Sequence, residues 1–290
     1  MKSYNKHCRP RREILEKLQQ TGLAQTETDF VRLVGGRTNE LWKFGSAGRD
    51  LVCKFFTGTH SPLFPNDPQA ELATLSHLAG SDLAPRPIGL FQTSAGPFLV
   101  YEFMEGIPWQ GDVRKAARLL KAIHSIKSVK DVPENQRPID QIVQFSDLVC
   151  SGVSHDASAR ILSYRPDFDK VSPYQPGLLH GDPVASNMIE TSERLSLIDW
   201  QCPSIGNPCA DIALFLSPAM RQLYGGDRPN SESTKSFFEA YGEDQVRERY
   251  AELAPALHWR IAANCVWRAE QGDAEFAQAA DAEFAFLESL

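Results

Sequence analysis

The chain has no surplus of basic residues, no paired metal-ligand motif and no long apolar run, and each absence excludes a class of protein. Its 290 residues carry a formal net charge of −7 and the pI is about 5.6. No basic surface therefore marks a nucleic acid or an anionic membrane as a partner. No apolar stretch approaches the length of a transmembrane helix, and none follows the basic N-terminal residues as in a signal peptide. We therefore expect a cytoplasmic protein without a nucleic-acid or membrane partner.

The cysteines and histidines lack the spacing of a disulfide framework or a metal site. No two of the six cysteines form C-x-x-C, and the seven histidines show no ligand spacing. Cys202 and Cys209 bracket a Pro/Gly loop and could form a disulfide or half of a zinc site, but no further ligand pair accompanies them. Reduced thiols in a reducing compartment are the simpler interpretation.

The first third of the chain has the pattern of short strands broken by turns. Between about residues 29 and 103, alternating or continuous apolar runs are separated by glycine and turn residues. One helix interrupts them, with Asp67 as its predicted cap and Pro68 in its first turn. Together with an N-terminal helix, residues 1–103 are predicted to form a small β-rich lobe.

From about Gly111 onward helical periodicity dominates. The last two helices are predicted over about 254–270 and 274–287, separated by a Gly-Asp pair. Residues 104–290 are therefore predicted to form a larger, mostly α-helical lobe. The fold class is α+β, and a strand-rich half followed directly by a helical half indicates two lobes around a cleft.

The most informative segment runs from His180 to Asp199. It has the pattern H-x-D-x-x-x-x-N at His180, Asp182 and Asn187, followed by an apolar strand that ends at Asp199. This is the arrangement of a kinase catalytic loop and metal-binding loop. One carboxylate accepts a hydroxyl proton, while an amide and a second carboxylate hold magnesium on the phosphates. The short loop and the returning strand bring the three groups together.

Two features upstream fit the same chemistry. Gly35 and Gly36 open a Gly-Gly-Arg-Thr-Asn loop between two predicted strands, where backbone amides could cover phosphates; the alternative is a plain hairpin turn. Lys54 lies in an apolar run and needs a counter-charge, which Glu71 supplies from the next helix. The alternative is that Lys54 faces solvent on an edge strand.

Two further features fall in the order that a kinase requires. The extended segment that contains Glu102 and Met104 could offer backbone hydrogen bonds to an adenine edge, or be an ordinary connecting strand. Asp211 opens an apolar helix, where it could act as an N-terminal cap. In a kinase-like fold it would accept the backbone amides of the catalytic loop, and the two interpretations are compatible.

Taken together, these motifs resemble the aminoglycoside phosphotransferase and choline kinase superfamily, the small-molecule relatives of protein kinases. The matching residues are Gly35–Asn39, Lys54, Glu71, Leu120–His124, His180–Asn187, Ile198–Trp200 and Gly206–Asp211. The interval between Asp199 and Asp211 is too short for the activation loop and peptide platform of a protein kinase, so we expect a small acceptor.

The resemblance implies a bilobal protein-kinase-like fold, with ATP and Mg²⁺ as cofactors. It also implies that residues 1–103 bind the nucleotide, that residues 104–290 carry catalysis and bind the acceptor, and that each matching residue has a role. Asp182 would be the base that accepts or orients the hydroxyl, and Asn187 and Asp199 would bind magnesium. His180 and Asp211 would support the catalytic loop, and His124 would be a packed histidine. The nucleotide would be held by Gly35, Gly36, Thr38, Asn39, Lys54, Glu71, Glu102 and Met104.

The acceptor is expected to be an amino alcohol such as choline, ethanolamine or thiamine. Trp259 and Trp267 share one helical face and, with Trp200 and Gln201, are candidates for the acceptor pocket. The alternative, which the usual behaviour of tryptophan favours, is that the two helical tryptophans simply pack against neighbouring helices. Relatives of this type often carry Glu after Asp-Trp, where this chain has Gln201. The alternatives are an aminoglycoside or sugar kinase, or a nucleotide-binding regulatory pseudokinase.

Overall fold

A computed structural model describes residues 9–33, 38–58, 64–134, 138–167 and 173–290. The chain divides into two compact units, which we call the β unit and the helical unit. The β unit comprises Met1–Glu105 and Trp200–Cys202, and the helical unit comprises Gly106–Asp199 and Pro203–Leu290. The three residues that follow Asp199 thus belong to the unit formed by the first part of the chain.

The β unit is a five-stranded antiparallel sheet with two helices. The strands are β1 (Phe30–Leu33), β2 (Glu40–Ser46), β3 (Arg49–Phe55), β4 (Pro87–Thr93) and β5 (Gly96–Glu102), and the helices are α1 (Arg12–Gln20) and α2 (Pro68–Leu78). The strand order is β1-β2-β3-β5-β4. Strand β3 therefore lies inside the sheet, hydrogen-bonded on one side to β2 and on the other to β5.

Helix α1 closes the core of this unit. Ile14 and Leu18 are fully buried in one cluster with Trp42, Phe55 and Phe98. Each such side chain contributes roughly 1.5–3 kcal/mol of hydrophobic stabilisation when it is taken out of water. The N-terminal helix is thus a structural part of the unit, with one buried and one solvated face.

Helix α2 begins as the sequence predicts. The Asp67 side chain accepts hydrogen bonds from the amides of Gln69 and Ala70 at 2.9 and 3.1 Å, and Pro68 occupies the first turn. This cap fixes where the helix starts. It thereby fixes Glu71, in the first turn, on the buried face of the helix.

The helical unit contains short strands and eight helices among its described residues. Its strands are β6 (Ile107–Pro108), β7 (Gly177–Leu179), β8 (Met188–Glu190), β9 (Leu195–Leu197) and β10 (Ser204–Gly206). Its helices are α3 (Val113–His124), α4 (Pro138–Ser151), α5 (His155–Ser163), α6 (Cys209–Leu216), α7 (Pro218–Tyr224), α8 (Ser231–Tyr241), α9 (Asp244–Glu270) and α10 (Glu275–Leu287). Strand β7 pairs with β10, and β6, β8 and β9 form a second small sheet. The predicted α+β fold class, with a β-rich N-terminal region and a helical C-terminal region, is confirmed.

Helix α9 is longer than the sequence indicates. It begins at Asp244 and continues through Pro255, whereas the pattern predicted a start at about Ala254. Tyr250 and Leu253, on the N-terminal side of the proline, are buried. Their packing offsets the roughly 3 kcal/mol that a proline costs inside a helix. None of the helices in the described part of the chain, α9 included, has the length and apolar character needed to cross a membrane.

The end of α3 and the start of β7 approach each other very closely. A Cβ atom at Gly177 would lie 2.1 Å from the backbone oxygen of His124, and the Leu178 amide donates to Ile126 O at 2.7 Å. Only glycine permits this contact. As a result, His124 is packed beside the strand that leads into the His180–Asn187 loop.

Candidate active site

Lys54 and Glu71 form a buried ion pair inside the β unit. Lys54 lies on β3 with no exposed surface, and Glu71 is 1% exposed. Nζ donates to both carboxylate oxygens, at 2.9 and 2.6 Å. The solvent-facing edge-strand alternative is wrong, because β3 is paired on both sides. A buried ammonium held by one carboxylate keeps a fixed position, as a phosphate-binding lysine requires.

Asn39 is part of a buried amide cluster in the same unit. Its Nδ2 donates to Asn66 Oδ1 at 3.0 Å and to Gln201 Oε1 at 2.8 Å, and its Oδ1 accepts from Asn66 Nδ2 at 2.9 Å. Both amide hydrogens are therefore in use. Asn39 thus braces the strand that follows the Gly-Gly loop, and its role in contacting or shaping the phosphate loop stays a prediction. The signal missing from the sequence was Asn66, which stands outside any motif.

The remaining residues of the predicted phosphate loop are placed only in part. Gly35 and Gly36 lie outside the described residues. Thr38 is half-buried, and its carbonyl oxygen accepts a hydrogen bond from the Thr57 hydroxyl. This bond ties Thr38 to the second residue after the end of β3.

The predicted adenine-binding segment begins at the end of β5, and two of its backbone amides already donate hydrogen bonds within the β unit. The Glu102 amide donates to Arg86 O at 2.8 Å, and the Phe103 amide donates to Asp50 O at 2.9 Å. The Glu102 side chain accepts from Arg49 at 2.9 Å. Met104 follows, half-buried and outside any strand. An adenine edge would therefore have to use the Glu102 carbonyl and the Met104 backbone rather than the Glu102 amide.

The His180–Asn187 loop of the helical unit brings Asp182 and Asn187 into contact. Asn187 Nδ2 donates to the Asp182 backbone oxygen at 3.0 Å and lies 3.3 Å from its Oδ2. Asn187 closes a 3₁₀ turn formed by Ala185–Asn187, which leads directly into β8. Because Nδ2 is turned toward Asp182, the amide oxygen of Asn187 points the other way and can serve as a metal ligand.

Asp199 follows β9 in a backbone conformation that few side chains adopt. Its φ is +67°, in the left-handed region that Asp and Asn tolerate better than other residues with a Cβ. The preceding Ile198 amide donates to Asn187 O at 2.9 Å. That bond holds the two predicted metal ligands on adjacent pieces of backbone, and strain of this kind is typical of functional positions.

His180 braces the loop through both ring nitrogens. The Asp182 amide donates to His180 Nδ1 at 3.2 Å, and His180 Nε2 lies 3.1 Å from the carbonyl oxygen of Ile198. An amide can only donate and a carbonyl can only accept, so these bonds assign the neutral ring with its proton on Nε2. Used in this way, His180 connects the two halves of the loop.

Asp211 holds the start of the His180–Asn187 loop through its backbone amides. Its Oδ2 accepts the His180 amide at 2.7 Å, and its Oδ1 accepts the Gly181 amide at 2.9 Å. The side chain has no exposed surface. The alternative role as a helix cap is wrong, because Pro208 occupies the cap position and Asp211 lies inside the first turn of α6.

His124 and Tyr241 extend this anchor. His124 Nε2 lies 3.2 Å from Asp211 Oδ2, and its Nδ1 lies 2.9 Å from the Tyr241 hydroxyl oxygen. Burial, followed by the charges of Cys209 and Asp211, raises the pKa of Tyr241 well above its usual value, so the hydroxyl remains a donor. His124 is packed as the sequence predicts. Tyr241 was not predicted, because it ends α8 without any recognisable motif.

The predicted acceptor-pocket residues do not form an open aromatic pocket. Trp200 and Trp259 have no exposed surface. Trp259 donates from Nε1 to Ile161 O at 2.7 Å, which makes it a helix-packing residue. Trp267 is half-buried and lies close to Gly152. Gln201 is 5% exposed and occupied with Asn39, so these assignments are corrected for Trp200, Trp259 and Gln201.

A comparison of the chain with protein families identifies one match. Residues 29–253, most of the chain, match the profile described as the phosphotransferase enzyme family. The chain belongs to the phosphotransferase enzyme family. This confirms the superfamily that the sequence motifs indicate, and the prediction that the protein is a phosphotransferase.

Solved structures confirm the predicted kinase-like fold class of this phosphotransferase. Choline kinase from Cryptosporidium parvum Iowa II is 16% identical with a TM-score of 0.65, and the match covers 96% of this chain and 95% of that one. Plasmodium vivax ethanolamine kinase is 15% identical with a TM-score of 0.64, covering 94% and 85%. A thermostable variant of aminoglycoside phosphotransferase APH(4)-Ia, in a ternary complex with AMP-PNP and hygromycin B, is 16% identical with a TM-score of 0.67, covering 95% and 98%. No curated protein sequence matches the chain.

Proposed function

We propose that this phosphotransferase transfers the γ-phosphoryl group of ATP, in the presence of Mg²⁺, to a hydroxyl group of a small molecule. The observation that carries the proposal is the contact of Asp182 with Asn187 on a loop whose amides are held by buried Asp211. A protein that only binds nucleotide has no need for a carboxylate held in this way.

Asp182 is proposed as the catalytic carboxylate. It orients the acceptor hydroxyl and accepts its proton, and most of its effect is positional, as expected for phosphoryl transfer. His180 holds the Asp182 amide, and Asn187 holds the Asp182 carbonyl and carboxylate. The carboxylate therefore needs little rearrangement before reaction.

Asn187 and Asp199 are proposed to hold magnesium. Mg²⁺ prefers oxygen ligands and is usually bound by one or two protein groups, with water and phosphate oxygens filling the other positions. The donors fit, because both side chains offer oxygen and the bond from the Ile198 amide to Asn187 O holds them on adjacent pieces of backbone. ATP would supply the phosphoryl group, and Mg²⁺ would offset the negative charge of the phosphates. Lys54, held by Glu71, would bind phosphate oxygens of the nucleotide.

The acceptor proposed first is a small amino alcohol, the class that includes choline, ethanolamine and thiamine. The names of two structural neighbours, a choline kinase and an ethanolamine kinase, support it. Trp259 does not support it, because this side chain is fully buried and donates to Ile161 O. An aminoglycoside is the second candidate, supported by the neighbour that is solved with hygromycin B.

The test is an ADP-release assay with Mg-ATP across amino alcohols, thiamine, sugars and aminoglycosides. We expect an acceptor-dependent signal that Asp182→Asn abolishes while the protein stays folded. Asp147→Asn, which removes a carboxylate from the exposed surface of α4, is the matched control and should retain activity. A wild-type protein that binds ATP tightly but turns over no acceptor would favour the regulatory pseudokinase instead.

A second experiment tests the role of Lys54 without unfolding the β unit. Removing Lys54 alone leaves a buried, uncompensated Glu71, at a cost of about 3–5 kcal/mol. The double variant Lys54→Met, Glu71→Gln removes both charges. We expect it to fold and to bind nucleotide at least tenfold more weakly by calorimetry, and unchanged binding would remove Lys54 from the site.

A further inference from the structure

A cavity lies in the helical unit beside His124, the residue that contacts Asp211. It has a volume of about 60 Å³ and is lined by the end of α3, the start of α6 and the adjoining ends of α8 and α9. One buried water needs only ~10–15 Å³, so a larger ligand has room. We call it the basic cavity and define it by Lys121, Lys127, Asn207, Tyr241 and Arg249, which line it together with His124.

The charged groups around this cavity are mostly positive. Lys121 is paired with Glu243, the carboxylate that also lines the cavity. Lys127 Nζ donates to the backbone oxygen of His124 at 3.2 Å, and Arg249 donates to the backbone oxygen of Pro173. Neither Lys127 nor Arg249 forms an ion pair with a carboxylate in the described ranges.

The environment of the cavity changes the pKa of Lys121. Burial, and then the neighbouring ammonium of Lys127, lowers the pKa of Lys121. One carboxylate thus faces three cationic side chains. A bound anion would relieve the remaining repulsion.

Two residues that line the cavity each carry a buried donor without a partner. Asn207 is 3% exposed, and its Oδ1 accepts the Cys209 amide at 3.0 Å. Its Nδ2 is buried without a hydrogen-bond partner, and so is Nε of Arg249. Buried donors are nearly always satisfied in folded proteins, so two such donors on residues that line one cavity favour an acceptor bound beside them.

We propose that the basic cavity binds a small oxyanion of the size of phosphate. Its oxygens would accept from Asn207 Nδ2 and Arg249, and its charge would be balanced by Lys127. This site is separate from the residues proposed to hold the nucleotide, and its ligand is an effector rather than a reactant.

The basic cavity shares two residues with the anchor of the catalytic loop. His124 and Tyr241 line the cavity, and His124 contacts Asp211, which holds the His180 and Gly181 amides. An anion bound there stiffens the support of the loop that carries Asp182.

The experiment is a calorimetric titration with inorganic phosphate at constant ionic strength, with chloride as the reference ion. We expect saturable binding that weakens at least tenfold in Arg249→Gln and in Asn207→Asp. Asn207→Asp keeps the acceptor for the Cys209 amide but replaces the orphaned donor with a negative oxygen. Lys127→Gln, which changes an exposed side chain, is the variant least able to disturb folding.

Two controls make the result decisive. Lys235→Gln removes an equal charge from the exposed face of α8 and should leave phosphate binding unchanged. The Lys54→Met, Glu71→Gln double variant should also bind phosphate normally, because the nucleotide residues are not involved. Absent binding, or binding equally strong in folded Lys127→Gln and Arg249→Gln, would overturn the proposal.

Coupling to the loop has its own readout. Saturating phosphate should slow hydrogen exchange of the His180 and Gly181 amides in the wild type and not in Arg249→Gln. Unchanged exchange at saturation would show that the site is occupied without stiffening the loop, and would overturn that part of the proposal.

Discussion

Two buried networks in the helical unit have the same chemistry and different consequences. In the first, Asp211 contacts His124, and His124 contacts Tyr241. In the second, Glu283 contacts His258, and His258 Nε2 lies 2.9 Å from the Tyr250 hydroxyl. We call them the Asp211 network and the Glu283 network. All six side chains are buried.

The difference lies in what else each carboxylate holds. Asp211 accepts the amides of His180 and Gly181, in the loop that carries Asp182. Glu283 accepts the Ser217 hydroxyl at 2.7 Å and the Ala219 amide at 3.0 Å, at the start of α7. The same carboxylate–histidine–tyrosine series therefore positions a catalytic loop in one place and joins α7, α9 and α10 in the other. A buried polar network reveals its role only through the backbone it holds.

Asp211→Asn should produce the largest effect and separates the two networks. An amide offers one acceptor oxygen, so its NH₂ group would face either the His180 or the Gly181 amide, donor against donor. The loop would shift, and we expect kcat to fall on the order of 100-fold, the effect of a misplacement of about 1 Å. The ADP-release assay measures kcat, and circular dichroism checks the fold. Full activity in folded Asp211→Asn would contradict a positioning role.

Glu283→Gln is the matched change in the other network. It places an NH₂ group against the donors of Ser217, Ala219 or His258, all of them buried. We expect the free energy of unfolding in urea to fall by about 3 kcal/mol. At temperatures where the variant is folded, kcat should stay within twofold of the wild type. A large loss of kcat in the folded variant would mean that the two networks are not distinct in function.

The two tyrosines refine the comparison with a smaller change. Tyr241→Phe and Tyr250→Phe each remove one hydrogen bond to a buried histidine, and each should cost about 1 kcal/mol of unfolding free energy. Only Tyr241→Phe should also lower kcat, by less than Asp211→Asn. Equal kcat values in the two variants would place Tyr241 outside the support of the loop.

The smallest expected effect is a difference between the wild type and Tyr250→Phe in how the unfolding free energy depends on pH under alkaline conditions. Burial raises the pKa of both Tyr241 and Tyr250 above the ordinary value of 10.0. Above that pH the unfolded tyrosines lose a proton and the folded ones keep it, so stability is present below pH 10 and declines as the pH rises further. Tyr250→Phe should therefore flatten the decline of unfolding free energy between pH 9 and 11. A decline as steep as that of the wild type would show that Tyr250 does not cause it.

Some of the site could be predicted because its residues are spaced by local geometry. Asp182 and Asn187 share one short loop, and Asp199 ends the strand that returns to it. Lys54 needed a counter-charge in an apolar run, and Glu71 stands at the capped start of the next helix. Such relations follow from the reach of a few residues of chain, so periodicity and capping are sufficient to find them.

Other parts could not be predicted because they depend on contacts between distant segments. Asn39 meets Gln201 across 162 residues of sequence, and His124 meets Tyr241 across 117. The residues next to either partner in the sequence give no indication of the other partner. The same is true of Trp259, whose indole donates to α5 and so is unavailable for an acceptor.

The sequence by itself determined the chemistry of this protein, since an ordered set of side chains with kinase spacing identifies a phosphotransferase. Tertiary structure alone decided which polar residues are free to act and which are used as supports. The physical reason is that a buried donor or acceptor must be satisfied by whichever group the fold brings to it. Gln201, Asn39 and Asp211 have their hydrogen-bonding capacity directed inward by packing, and Asn207 is left with a donor that packing does not satisfy.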